Sequence, residues 1–425
     1  MTPRPRAVVV VTGSELVRGE RTDRNGPFLA AEALSHGLEP ARITIVGDTP
    51  AELEAALREG LEAEACLVSG GLGPTHDDRT VELLARAAGL ELVVDEVLER
   101  EIESVSRTAA ERLRRPYADF APGVTKQATR PAPALPIGLA GTAPGLVLRA
   151  PTGCVVVLLP GPPGELRRLW PNALASEVMR ELLERTRPPG RRVLRLFGVS
   201  ESAVARALEE AGGDGASVEA TICARDFEIH VDLVVEPGAE ERADALETAL
   251  AERLERWLFA RDERGVEELV LSLAAARGLR LATAESCTGG MVAARLTDVP
   301  GSSESFVGGI VAYSDNVKRS ELGVSEELLA AYGAVSAEVA AAMAEGARRA
   351  LGANVAVAVT GVAGPGGGTP EKPVGRVHIH AAGPDGSLGR VLDLPGEREQ
   401  VRVRATVTAL HLLRALLMGS RDKGV

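Results

Sequence analysis

A serine, a tyrosine and a lysine define the chemistry this chain can attempt. Ser286 stands in Ala282-Thr283-Ala284-Glu285-Ser286-Cys287-Thr288-Gly289-Gly290, after a short apolar run and before a helical pattern that opens at Met291. A strand that turns into a helix at Ser286 sets the hydroxyl at a helix N-terminus. Free N–H groups and the helix dipole favour negative charge there, which suits a nucleophilic serine and its oxyanion. Lys318 follows in Ile310-Val311-Ala312-Tyr313-Ser314-Asp315-Asn316-Val317-Lys318, a segment that reads as a strand running into a turn and helix. Composition singles this lysine out. Of 48 basic residues only Lys126, Lys318, Lys372 and Lys423 are lysine, and Tyr313 is one of three tyrosines. Arginine keeps its proton in a protein, whereas lysine can release it when buried, so a base for a serine has to be lysine. The plain alternative is a capping serine beside a surface lysine.

The elements around these residues read as an α/β block. A helix is predicted at 267–276, and Ser336 caps an alanine-rich helix running to 351. A buried strand at 353–360 ends in Thr360-Gly361-Val362-Ala363-Gly364-Pro365-Gly366-Gly367-Gly368. Five of these nine residues are glycine, so the backbone can wrap an anion. Strands at 376–380 and 388–394 pair through Pro384-Asp385-Gly386, and an amphipathic helix at 398–417 follows. His378 and His380 share a sheet face; with no third ligand evident, they read as a solvent-facing pair. A serine at a helix start, a lysine, a tyrosine and a glycine loop together fit acyl transfer on a phosphate-bearing substrate.

The first block alternates strand and helix. Strands at 7–11, 41–46, 65–69 and 154–159 are separated by helices at 24–35 and 50–62, the pattern of a doubly wound parallel sheet with ligands at the C-terminal strand ends. The third strand delivers Gly70-Gly71-Leu72-Gly73-Pro74-Thr75-His76-Asp77-Asp78-Arg79-Thr80. Gly70, Gly71 and Gly73 let backbone approach a phosphate. Asp48 ends one βα unit on that edge and Asp77 and Asp78 another, where carboxylates suit Mg²⁺ against a diphosphate. The plain alternative is helix caps and turns. Thr142 lies in a Pro/Gly/Ala-rich loop assigned to the same edge, and 95–115 reads as a charged helix, a solvated arm.

After the linker Arg187-Pro188-Pro189-Gly190 comes a small α+β module with no catalytic constellation, to which spacing or dimerisation is the default role. The whole chain, at 425 residues, has room for two to four domains of about 100–200 residues each. Net charge of −12 and a pI near 5.3 count against a nucleic-acid partner and against a polybasic membrane surface. No apolar run reaches the roughly 18 residues of a transmembrane helix, and the run at 7–11 is too short for a signal segment. Cys66, Cys154, Cys223 and Cys287 lack metal-like spacing and read as reduced thiols of a cytoplasmic protein.

With these motifs in order along one chain, the sequence resembles the competence/damage-inducible CinA family over nearly its whole length. The likeness rests on Thr12-Gly13-Ser14-Glu15-Leu16, Asp23-Arg24-Asn25, residues 70–80, Gly141-Thr142-Ala143-Pro144-Gly145 and Leu159-Pro160-Gly161. In the last block it rests on residues 284–290, Gly301-Ser302-Ser303, and residues 313–318, 361–368 and 372–375. The resemblance implies a doubly wound molybdopterin-binding-like domain at 1–175, a small α+β KH-like middle domain at 176–262 and an α/β nicotinamide-nucleotide amidohydrolase domain at 263–425. It implies that the last domain converts nicotinamide mononucleotide (NMN) to nicotinate mononucleotide and ammonia without a cofactor, and it maps the family's catalytic residues onto Ser286, Tyr313 and Lys318. The expected substrate contacts are the N–H groups of Thr288, Gly289 and Gly290 and the loop residues Gly361, Gly364, Gly366 and Gly367.

For the first domain the resemblance implies an ADP-ribose pyrophosphatase that releases AMP and ribose 5-phosphate. Its site is expected at Asp48, Gly70, Gly71, Gly73, Thr75, Asp78 and Thr142, with a divalent metal, Mg²⁺ or similar, at Asp77 and Asp78. Ser14 stands where the family's first motif usually has Asp, and Gly138 where the loop before Gly141 usually has Asn, so the amidase takes precedence. A homodimer is the expected assembly. Two alternatives to a pure amidase remain: a bifunctional enzyme using both domains, and a non-catalytic competence or DNA-damage scaffold.

Overall fold

The unbroken apolar runs of Arg6–Thr12, Ala65–Ser69 and Val155–Leu159 become strands because both faces of their sheet are covered, whereas the edge strand Glu39–Val46 leaves Ile43 and Ile45 exposed. In the computed structural model, which describes residues 4–419, β1 (Arg6–Thr12), β2 (Glu39–Val46), β3 (Ala65–Ser69) and β8 (Val155–Leu159) lie parallel. Between β3 and β8 in the chain come a two-stranded ladder of β4 (Leu92–Val94) and β5 (Thr129–Pro131), then β6 (Leu135–Leu139) and β7 (Pro144–Arg149). The large sheet has the order β2-β1-β3-β8-β7-β6, with β7 and β6 antiparallel. Val8 and Val10 of β1 face Leu53, Leu57, Leu83 and Leu84, while Val9 and Val11 face Leu29, Leu166 and Trp170. A strand with two buried faces has no polar alternation, which explains the unbroken valines.

The predicted solvated arm is half buried. The helix Glu96–Leu113, whose N-terminal N–H groups on Val97 and Leu98 are capped by Asp95, buries Leu98, Ile102, Ser106 and Ala110. The first two pack on Val124 and Ala128 of the helix Ala121–Ala128. The four-residue spacing is one face of a helix, diluted by charges on the other. This first compact unit runs to Pro189, beyond the predicted limit of 175, because Met179 and Leu182 complete its core.

The second unit starts at Gly190 and holds both remaining blocks. β9 (Gly190–Phe197), β10 (Val218–Arg225), β11 (Glu228–Val235) and β12 (Leu258–Ala260) form an antiparallel sheet in the order β10-β11-β9-β12. The helices Glu201–Glu210 and Glu240–Arg253 cover one face. At the start of β11, Glu228 is buried and its Oε1 lies 2.6 Å from His411 Nε2 on the helix Arg398–Leu417. The His411 ring stacks on Phe197 at 3.8 Å and meets the edge of Phe259.

A third sheet follows: β13 (Leu281–Glu285), β14 (Phe306–Val311), β15 (Val355–Gly361), β16 (Arg376–Gly383) and β17 (Gly386–Asp393), ordered β14-β13-β15-β16-β17. β13 runs parallel to β14 and β15; β16 and β17 are antiparallel. Val355, Val357 and Val359 face the helices Val266–Ala276 and Arg398–Leu417. Ala282, Ala284, Ala356 and Ala358 face the helix Ala337–Leu351, which meets them with Val339, Met343, Ala344 and Ala347. His378 and His380 lie on this second face. They are half-buried rather than solvent-facing, and burial pushes both imidazoles below their ordinary value.

Candidate functional site

The strand that carries the serine ends in an acid. Glu285 closes β13, is buried, and its carboxylate accepts the N–H groups of Gly290 (3.0 Å), Val292 (3.0 Å) and Ala293 (2.9 Å). The helix opens at Met291, where the sequence pattern places it, and runs to Thr297, so Ser286 stands five residues before it and not at its N-terminus. Between them lies a tight turn in which Gly289 and Gly290 adopt φ of +60° and +96°. The positive end of that short helix is therefore neutralised by Glu285 and offers Ser286 nothing. Ser286 N–H is bonded to Val359 O at 2.9 Å, and Gly289 N–H to Ser286 O at 3.1 Å. Gly289 and Gly290, expected to touch substrate through their N–H groups, thus commit them within the turn.

Three parallel strand ends converge here. In register Glu285 sits opposite Val311 of β14 and Val359 of β15, and Ala312 N–H bonds to Glu285 O at 2.8 Å. Ser286, Tyr313 and the loop after Gly361 therefore leave the same edge of the sheet, as open parallel sheets require of a site. Ser286 is 8% exposed, Lys318 1% and Tyr313 63%. Lys318 lies on the helix Asp315–Leu322, capped by Ser314, and its nearest ion partner is the exposed Asp315 at 3.5 Å. That helix docks deeply because Gly346 of the helix Ala337–Leu351 leaves space against Leu322 O, where a Cβ would collide. Among the described residues no hydrogen bond joins Ser286 to Lys318. Burial pushes the neighbouring Cys287 thiol up to about 11, which leaves it a protonated, poor nucleophile.

Two arginines that sequence reading passed over hold this edge together. Arg398 donates to Gly364 O (2.8 Å) and to Tyr313 Oη (3.2 Å). Arg402 donates to Cys287 O (3.1 Å) and Thr288 O (2.8 Å). Four residues apart on one helix, they share a face. In a chain so rich in arginine only that i, i+4 spacing marks them. The glycine loop divides by environment. Gly361 and Gly364 lie against Arg376 O and Val374 Cγ1, where a Cβ would come to 2.7 and 2.6 Å, so packing explains them. Gly366 has open space around it and Gly367 only one side-chain atom, at 3.9 Å. Lys372 ties the loop's far side to Tyr332 O at 2.5 Å.

The first unit has its own cleft of about 360 Å³ at the C-terminal strand ends, lined by Glu15, Asp48, Gly70 to Gly73, Asp77, Asp78, Gln127, Thr142 and Glu165, among others. Gly70, at φ +103°, brings its backbone against Thr12 O, where a Cβ would come to 2.5 Å. Asp48 is already engaged: it accepts from Ser14 N–H (3.0 Å), Ser14 Oγ (2.6 Å) and Thr12 Oγ1 (3.1 Å). Thr75 donates to Asp77 and Asp78. Gln127, absent from the sequence reading, bonds to Leu72 O at 3.1 Å and reaches Thr142 Oγ1 at 3.5 Å. Beside the cleft the buried Asn25 donates to Ser69 Oγ (2.9 Å) and Gly161 O (2.7 Å). Among the described residues no three His, Cys, Asp or Glu side chains are arranged to hold a metal ion. Nor is any described helix long and apolar enough to cross a membrane.

Fold and site define an α/β protein with a molybdopterin-binding-type sheet early in the chain and a serine-bearing five-stranded sheet at its end. Comparison with known families agrees on both parts. The model described as "Probable molybdopterin binding domain" matches residues 8–180, and that of the "CinA C-terminal domain" matches residues 263–417. The chain is 45% identical over 426 residues to the CinA-like protein of Mycolicibacterium gilvum, covering 97% of this chain and 99% of that one. It is 43% identical over 428 residues to the CinA-like protein of Mycobacterium tuberculosis H37Rv, covering 97% and 98%. A solved structure, the competence/damage inducible protein CihA from Agrobacterium tumefaciens, is 42% identical and matches 37% of this chain and 99% of its own at a TM-score of 0.35. The chain belongs to the CinA family.

Proposed function

We propose that the serine edge of the second unit hydrolyses the carboxamide of NMN to nicotinate mononucleotide and ammonia. The observation that supports this most is the convergence of β13, β14 and β15. It puts a buried hydroxyl, a buried lysine with a tyrosine at the mouth, and an open glycine loop on one edge. Ser286 Oγ attacks the carboxamide carbon while Lys318 Nζ takes the hydroxyl proton. That proton passes to the amide nitrogen, with Tyr313 orienting the lysine or relaying, and the C–N bond breaks to release ammonia. Water then attacks the acyl-enzyme ester, Ser286 recovers its proton, and nicotinate mononucleotide leaves. The phosphate is held at Gly366 and Gly367, beside the positive charge of Arg398. Every group named comes from one chain; the assembly we expect is a homodimer.

The test is ammonia release from NMN by the full chain, beside Ser286→Ala and with EDTA present. Release that requires Ser286 and ignores EDTA is expected. A folded chain that releases none removes this reading. A second activity is favoured by the acid-rimmed cleft of the first unit: ADP-ribose hydrolysis to AMP and ribose 5-phosphate. Asp48 is engaged by Thr12 and Ser14, and Asp77 and Asp78 by Thr75, and among the described residues no three side chains there form a preformed metal cage. AMP formation that disappears in Asp78→Ala would place that activity in the first unit.

A further inference from the structure

A buried backbone N–H needs an acceptor, so the donors of the serine turn can be accounted for one by one. Ser286 N–H goes to Val359 O and Gly289 N–H to Ser286 O, while Met291 N–H makes a long 3.4 Å contact with Thr288 O. Gly290, Val292 and Ala293 give theirs to Glu285. Cys287 and Thr288 are left. Among the described residues no oxygen accepts either N–H; both bear on the Cys287 sulfur, a weak acceptor. A second orphan adjoins them: Thr288 Oγ1 is buried without a hydrogen-bond partner. Three donors without an oxygen acceptor thus lie within two residues of the nucleophile, in a turn whose other N–H groups are engaged.

The direction of one of them is fixed. In a trans peptide the C=O and N–H point opposite ways. The peptide joining Cys287 to Thr288 has its carbonyl on Arg402 Nε at 3.1 Å, so the Thr288 N–H points away from the helix Arg398–Leu417. The next peptide is held twice, by Arg402 Nη2 on Thr288 O at 2.8 Å and by Gly289 N–H on Ser286 O. One planar guanidinium therefore sets two successive peptide planes, a task suited to a rigid fork and not to a point charge. Gly289 permits it through its left-handed backbone at φ +60°, since a Cβ there would only make an ordinary 3.5 Å contact with Arg402 Nη2.

We infer that Arg402 is a positioning residue that aims the Thr288 N–H, with the Cys287 N–H beside it, at the oxyanion formed when Ser286 attacks. This rests on the amidase reading above. It replaces the helix end, which Glu285 occupies, with the turn itself as the oxyanion site. Arg402 touches neither substrate nor reacting atoms; it acts through the two carbonyls that it holds.

The experiment measures kcat and KM for ammonia release from NMN in the wild-type full chain, Arg402→Ala and Arg402→Lys. Urea unfolding and amide hydrogen exchange of the peptide spanning 286–293 are followed in parallel. The expected result for Arg402→Ala is a loss in kcat on the order of 100-fold, the usual effect of a lost oxyanion donor, with KM unchanged. Exchange in that peptide should rise while the unfolding midpoint holds. Arg402→Lys should stay closer to Arg402→Ala than to wild type. A rise in KM with kcat intact would make Arg402 a substrate ligand and overturn the inference. So would an unchanged kcat, or a loss of activity that merely follows a loss of folded protein; in each of these cases the amidase stands. A wild-type chain that leaves NMN intact brings down the amidase reading, and this inference with it.

Discussion

The buried pair of Glu228 and His411 should make the second unit acid-sensitive by an amount the structure lets us work out. Burial holds His411 down, from 6.5 to about 4, against the opposing pull of Glu228; its Nδ1 has no partner to share a second proton. For Glu228 burial acts upward, but the imidazoles of His230 and His411, with Arg295 near, outweigh it and hold the carboxyl at about 2. His230 stands at 3.6 Å, too far for a hydrogen bond, so we credit His411 at 2.6 Å with most of this effect. Between pH 6.5 and 4 the unfolded chain takes up a proton at His411 that the folded chain refuses. Stability is thus complete above pH 6.5 and falls as pH drops through that window. A shift of that size corresponds to about 3 kcal/mol. The Glu228 share is lost lower, from 4.5 towards 2. The chain's two tryptophans, Trp170 and Trp257, lie one in each unit. Urea unfolding followed by fluorescence in a Trp170→Phe background therefore reports the second unit through Trp257. His411→Ala should cost roughly 3–5 kcal/mol at pH 7, because it strands a buried charge. The double variant Glu228→Met, His411→Leu should recover most of that and flatten the pH slope. A double variant that keeps the wild-type slope would refute the reasoning.

Lys318→Arg replaces a side chain that can act as a base with one that cannot, and should abolish NMN hydrolysis in a chain whose unfolding curve shows it still folds. Gly70→Ala forces a Cβ against Thr12 O at a left-handed φ and should cost about 1–3 kcal/mol in urea unfolding. Gly366→Ala meets open space and should leave stability unchanged or slightly raised, while raising KM for NMN if the loop holds the phosphate. Asn25→Ala leaves Ser69 Oγ and Gly161 O without their donor. It should cost about 1–3 kcal/mol, measured on the first unit through Trp170.

The strands were legible because their residues report their surroundings directly. The valines of β1 and β15 are apolar wherever both sheet faces are covered, and glycines mark where β3 and β15 end. The serine and the glycine loop were visible for the same reason, since each follows such a strand. The tyrosine–lysine segment stands out instead by the scarcity of its residue types, because β14 is a partly exposed edge strand. What escaped was whatever depends on a partner far along the chain. Glu285 was in plain sight beside Ser286, yet its role as acceptor for three N–H groups depends on a turn that no periodicity reveals. Arg398 and Arg402 lie more than a hundred residues from the serine turn and look like any other arginines of a helix surface. The arm at 96–113 was misjudged because one apolar residue per turn, surrounded by charges, looks like a solvated helix until the neighbour that covers it is known.

Gly346 touches none of the reacting groups, yet it fixes how deep the lysine helix can sit, because a methyl group there would press on Leu322 O. Lineages drifting by single substitutions would find this position closed for a reason invisible at the active edge. A side chain at 346 would push the helix Asp315–Leu322 off its seat and shift Lys318 without altering it. If the proposed amidase reading holds, the setting of its lysine is governed in the seam between two helices, away from the groups that would meet a substrate.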